Sequence, residues 1–219
     1  MASQMGQRMI FENAKSLVRS LGYGVDQAVL TQSYLRSEVA LSTSVANYHI
    51  PVLVNGTQNG SVRVNEKRLN LQDIFVASEI AVLVGVGSST STTAALYTYN
   101  NGVIFTAATD TDLLSIYNGS LNLTINNQQV LPAWDVYRHY FVPQTQGGVG
   151  ITAQTITPVD QNDASSNGFY PVEPGIVMNG AANINFQLTA NGAPATILAN
   201  SFIAVIQRGI LLQNVTTVK

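Results

Sequence analysis

The sequence predicts an all-β protein, an antiparallel sandwich or barrel preceded by one amphipathic helix. Three observations carry that expectation. From Leu35 onward, apolar and polar residues alternate with period two in one segment after another, the pattern of half-buried strands. Turn signals separate those segments at Asn55-Gly56, Asn126-Asn127, Gly147-Gly148 and Asn191-Gly192, steps that tolerate left-handed backbone angles. No strand–helix–strand alternation appears, and about eight to ten short strands follow the single helical stretch, as in sandwiches and barrels.

The helix is expected over residues 9–22. Ile10, Ala14, Leu17, Val18 and Leu21 fall on one face, while Arg8, Glu12, Lys15 and Arg19 occupy the others. Gly22-Tyr23-Gly24 is its stop, and a second short helical turn is expected at 26–30. A helix this short is marginal alone in water, so its stripe needs a cover. One reading makes it an arm that docks on a neighbour or lies on a membrane surface. The other folds it back onto its own sheet. The expected division is an arm over 1–33 and a β domain over 34–219 that closes its core without the arm.

Strands follow in order. Val39, Leu41 and Thr43 alternate with polar partners, and 48–55 is apolar up to Asn55-Gly56. Val62 and Val64 alternate next, then the charged Glu66-Lys67-Arg68. Residues 75–86 form a long strand, apolar on both faces toward its end and therefore deeply buried there. A Ser/Thr/Gly loop over 87–93 leads to short strands at 96–99 and 103–106, and 109–114 is helical or looped with Thr109 as a cap. The most regular stretch is 117–146. Leu121, Leu123 and Ile125 alternate with Asn122, Thr124 and Asn126, the Asn126-Asn127 turn follows, and a second extended run carries Trp134, Tyr137, His139 and Phe141 between Pro132 and Pro143. Trp134, the sole tryptophan, is the expected core anchor between two sheets. A strand is expected at 151–156, and 158–174 reads as an irregular surface loop. Ile184, Phe186 and Leu188 alternate again, and 202–212 is a final long strand with a bulge or close approach at Arg208-Gly209.

Charged residues make up 10% of the chain, against about 25% in an average globular protein. Amides, hydroxyls and glycines take their place, and neutral amides cost less to desolvate than ions. That composition leans toward a protein packed in an assembly; a β domain with a polar surface is the other reading. The net charge of −2 supplies no field that would draw in nucleic acid, and the absence of cysteine excludes disulfides and thiolate metal sites. No uninterrupted apolar h-region opens the chain, so no signal peptide is expected, and no apolar run is long enough to span a bilayer.

No reaction is legible. His49 and His139 both fall in expected strands, where a histidine is ordinarily packed or hydrogen-bonded. There is no G-x-S-x-G elbow, and Gly85-Val86-Gly87-Ser88 lacks a phosphate-loop lysine. Asp160 and Asp163 are close in sequence, with Asn162 beside them, but a solvated loop is the simpler reading. No catalytic residue, cofactor or metal is expected.

Four segments bear a family resemblance: RLNLQDIFVASEIAVLV (68–84), YNGSLNLTINN (117–127), LPAWDVYRHYFVPQTQ (131–146) and NSFIAVIQRGILLQ (200–213). Together they resemble jelly-roll major capsid proteins of small tailless icosahedral bacteriophages, of the kind that enclose an internal membrane. The resemblance covers most of the chain after the helix and rests on strand pattern and order. It implies a jelly-roll sandwich whose copies assemble as trimers or higher capsomers with other capsid proteins into an icosahedral virion shell, built in the host cytoplasm. In that setting the Ile10, Ala14, Leu17, Val18 and Leu21 stripe contacts neighbours or the internal lipid membrane, and no specific nucleic-acid binding is expected. Two barrels need about sixteen strands of ~5–6 residues plus loops, so one jelly roll is favoured and a compact double jelly roll is the alternative. The rival function is a carbohydrate- or receptor-binding β sandwich of a phage spike or vertex, with Trp134 and Tyr137, or Tyr97 and Tyr99, as a stacking platform.

Overall fold

The alternating stretch around Asn126-Asn127 is a tight hairpin. Both asparagines take positive φ, 49° and 64°, as a two-residue turn matched to strand twist requires. In the computed structural model, residues 2–52, 69–86, 96–98, 110–141, 168–194 and 201–217 are described. In chain order they form α1 (Ala2–Ser20), β1 (Tyr23–Gly24), β2 (Val29–Ala40), β3 (Asn47–Pro51), β4 (Ile74–Val86), β5 (Leu96–Tyr97), α2 (Asp110–Tyr117), β6 (Ser120–Ile125) and β7 (Gln128–Asp135). A 3-10 turn (Val136–His139), β8 (Tyr170–Asn179), β9 (Ile184–Thr189), β10 (Ser201–Gln213) and β11 (Thr216–Thr217) complete them.

The fold is mostly antiparallel β. One sheet has the order β2-β10-β4, with β8 and β5 both pairing with β4 beyond it; the other has the order β3-β9-β6-β7. The pairs are nested. β6 pairs with β7, β4 with β8, β3 with β9 and β2 with β10, so early strands meet late ones in reverse order. Apolar residues of both sheets meet in one core that includes Leu35, Ile50, Phe75, Val82, Leu123, Phe186 and Val205.

β4 explains its doubly apolar sequence. Ile80, Val82 and Val84 belong to the main core, while Ala81 and Leu83 on the other face are also buried. The bulge expected at Arg208-Gly209 is present as a register shift, and Ser78 of β4 is the extra residue opposite it. Glycine is needed there because a Cβ on Gly209 would collide with the Val76 carbonyl oxygen.

β7 carries two further irregularities against β6. Register jumps leave Val130 unpaired and place one extra residue, within Pro132-Ala133, opposite Asn122. Ala133 takes φ 45°, and its N–H donates to Asn122 Oδ1 at 2.6 Å. The bulge gives Leu131 and Trp134 a spacing of three instead of two, and both pack against the core.

Several expectations need correction. The second extended run does not continue through Phe141: it ends at Asp135, whose carboxylate accepts from the Tyr137 N–H at 3.0 Å and caps the 3-10 turn. Tyr137 and His139 therefore lie on that turn. The segment 158–174 is not irregular to its end, because Tyr170–Pro174 open β8; its prolines are accommodated on a strand that, among the described residues, pairs with β4 alone. Residues 26–28 are a turn leading into β2 and not a helix. Of the 109–114 segment, Thr109 lies outside the described residues and the rest belongs to α2, which runs on to Tyr117.

The proposed boundary at 33/34 is no boundary. It falls in the middle of β2, where Ser33 pairs with Gly209 and Tyr34 with Arg208. The α1 stripe is covered by the chain's own sheet: Ala14 and Val18 are buried with Ile74, Val76, Ile210 and Leu212, and Leu17 and Phe11 pack against them. Those four sheet residues point away from the main core, so without α1 they would face water. Leu21 is 57% exposed, just beyond the helix. Ile10 lies in α1, but its side chain is outside the described residues, as are the segments expected as strands at 61–65, 103–106 and 151–156, the loop 87–93, Tyr99, Asp160 and Asp163.

Candidate functional site

The residues singled out between 131 and 141 gather at one end of the sandwich. The 3-10 turn is held there from three sides. The Val136 N–H donates to the Gly119 carbonyl at 3.2 Å, and the Phe141 N–H donates to the Thr98 carbonyl at 3.2 Å. Tyr140 packs edge-on against Tyr117, ring centroids 5.2 Å apart, and the Tyr117 hydroxyl donates to the Tyr97 carbonyl at 3.2 Å. Tyr117 is fully buried, and that burial raises its hydroxyl pKa.

His139 is the centre of the cluster and is fully buried. The Trp134 indole N–H donates to its Nε2 at 2.9 Å, and its Nδ1 lies 2.7 Å from the Gly168 carbonyl oxygen. An indole nitrogen only donates and a carbonyl only accepts. The pair therefore requires the neutral tautomer with its proton on Nδ1. Burial pushes the imidazole below the usual histidine range; the Gly168 carbonyl and Asp135 oppose that shift, and Arg138 adds to it.

The outer layer is aromatic and cationic. The Arg138 guanidinium lies 4.8 Å from the Trp134 ring centroid and 6.0 Å from that of Tyr170. Tyr137 stacks on Tyr140 at 5.6 Å, and Tyr170 meets His139 edge-on at 6.0 Å. Tyr137, Tyr170 and Phe141 are 51%, 41% and 38% exposed.

This geometry decides the readings attached to these residues. Trp134 is not the central anchor. It is half-buried on β7, which among the described strands pairs with β6 alone, and it packs against the rim of the core, because the bulge before it turns the strand there. Among the described residues the largest fully buried aromatics are Tyr117, Phe75 and Phe186. Trp134 is not a bare stacking platform either, since Arg138 lies over its ring and His139 stacks beside it at 6.2 Å. The Nε2 lone pair of His139 is occupied by an indole donor, so in this arrangement it does not serve as a base for a substrate. His49 is exposed on β3, 3.5 Å from the Asn185 amide. Among the described residues no group of three His, Asp or Glu could hold a metal ion, and no helix is long and apolar enough to cross a membrane.

Sequence reasoning singled out Trp134, Tyr137 and His139 but missed Tyr117, Tyr140, Gly168 and Tyr170. The last two reach the cluster from the other side of a long segment, and no local spacing announces them. Phe11 was missed in the helix stripe, although its i+3 and i+7 relation to Ala14 and Val18 places it on the same face.

No family model, curated protein or solved structure matches this chain.

Proposed function

We propose that this chain is a single jelly roll and a structural subunit that assembles with copies of itself into a viral shell. The observation that carries the reading is the strand order. An eight-stranded jelly roll is a long antiparallel hairpin rolled up, so its strands pair first with eighth, second with seventh, third with sixth and fourth with fifth. β2, β3, β4, β6, β7, β8, β9 and β10 pair in that nested way and occupy the matching orders in the two sheets. Eight strands suffice for one roll, which favours it over the compact double form.

A fold alone does not assign a role. The composition supports assembly, since only 10% of residues are charged and burying such a surface against neighbours desolvates few ions. The exposed Tyr137, Tyr170 and Arg138 supply the residue types that dominate interface energetics. They also favour one alternative, a recognition module of a spike or vertex that uses this surface on a receptor. With α1 packed on its own sheet, contacts with neighbours fall to the sandwich surface and not to a free arm. No catalytic or nucleic-acid role enters the proposal.

Negative-stain microscopy and light scattering of the purified full chain test it. Closed shells or lattice patches are expected. Discrete monomers or trimers at every salt and concentration tried would remove the shell reading in favour of the recognition module.

A further inference from the structure

His139 joins two pieces of chain far apart in sequence, the edge of β7 through Trp134 and the entry to β8 through Gly168. Only the neutral ring satisfies both. A proton added at Nε2 would set two N–H donors against each other across 2.9 Å, and turning the ring over does not help, because both nitrogens of imidazolium are donors.

We propose that this contact is an acid-released latch: protonation of His139 at Nε2 expels the Trp134 indole, while the Gly168 hydrogen bond holds the imidazolium in place. The surroundings offer the new charge little. Arg138, on the same turn, repels it, and the Asp135 carboxylate is engaged by the Tyr137 N–H as the cap of that turn. From β8 the facing group is Tyr170, edge-on, with Arg138 over its ring. From α2 comes Tyr117, through Tyr140, and from β5 comes Tyr97, which holds the Tyr117 hydroxyl. β4 also packs on the turn, and its only ionisable side chain, Glu79, is opposite Pro171 in the β8 register. Expulsion of the indole takes the Trp134 ring from beneath the Arg138 guanidinium and rearranges the exposed surface around Tyr137 and Tyr170. The inference stands on the local geometry and does not depend on the shell reading.

Trp134 is the only tryptophan, so its fluorescence reports the latch directly. In the full chain, emission should change in a single-proton step as pH falls below the usual histidine range, with far-UV circular dichroism unchanged. His139→Gln keeps an acceptor toward the indole and a donor toward the carbonyl without titrating, and its emission should stay flat. If that variant fails to fold, Trp134→Phe carries the test by histidine NMR, with His49→Gln to assign the signals. Removing the opposing N–H should make His139 about fivefold easier to protonate, the ratio equivalent to one ordinary net hydrogen bond. An emission step that persists in His139→Gln, a step that coincides with loss of the dichroism, or an unmoved His139 midpoint in Trp134→Phe would each overturn the latch.

Discussion

Gln207 is a fully buried side chain on β10 whose amide nitrogen and oxygen both lack hydrogen-bond partners among the described residues. Its register neighbours are Leu35 on β2 and Ile80 on β4, both buried in the main core, and Val205 precedes it by two on the same face. A buried amide without partners costs about 1–3 kcal/mol on the scale of protein substitutions. Methionine has nearly the same length and flexibility, and a swap that conserves shape usually costs less than about 1.5 kcal/mol. Gln207→Met should therefore stabilise the protein by about 1–2 kcal/mol. For a domain of this size that raises Tm by about 2–8 °C. Urea unfolding followed by circular dichroism should show a higher midpoint with an unchanged slope, at an assembly state held fixed by sizing. An unchanged or lowered midpoint would mean that the amide is hydrogen-bonded in solution, and the reasoning would fail.

Val18→Ala should cost about 2 kcal/mol, because Val18 is fully buried between α1 and the sheet, whereas Leu21→Ala at the exposed end of that stripe should stay within about 0.5 kcal/mol; denaturant melts of the two separate a docked helix from a free arm. A chain beginning at Ser33 loses α1 and part of β2, exposing Ile74, Val76, Ile210 and Leu212, so it should lack a cooperative melt or aggregate on sizing, and a soluble folded domain would contradict the docking. His139 is held neutral in the folded protein, so the unfolded chain binds the extra proton first. Its stability contribution is complete above about pH 6.5 and is lost as pH falls below that value, by up to about 1.4 kcal/mol per pH unit until the folded protein also protonates. Urea melts across that range should show the slope in the parent and not in His139→Gln.

The parts of the fold that could be read from sequence are those where local stereochemistry and burial agree. Asn126-Asn127 sits between alternating segments, and only a tight turn reconciles the two. Gly209 interrupts an apolar strand where no side chain fits against Val76. β8 is hidden because Pro171, Pro174 and Gly175 all argue against a strand; among the described residues it pairs with β4 alone, which tolerates them, and pairing is not a local property. Period-two counting places Trp134 too deep because it does not anticipate the bulge at Pro132-Ala133. The docking of α1 is not legible because the stripe shows that a cover is needed and does not say whose. The His139 cluster was half legible: Trp134 and His139 are near in sequence, while Gly168 and Tyr170 arrive by topology alone.

The nested pairing also dictates an order of events during folding. β10 lies between β2 and β4, and β9 lies between β3 and β6, so in each sheet a strand made late fills a gap between strands made early. β2 finds its partner only when the register from Val29↔Gln213 to Ala40↔Phe202 can close, nearly the whole length of the described chain later. The β6–β7 hairpin can form as soon as it is synthesised, but β4, apolar on both faces, must wait for β10 with one edge open. Non-local pairing of this kind makes for slow folding and leaves adhesive intermediates. A nascent chain of this protein is thus most vulnerable just before its last long strand emerges, and its yield in a cell should depend more on how that interval is protected than on the stability of the finished sandwich.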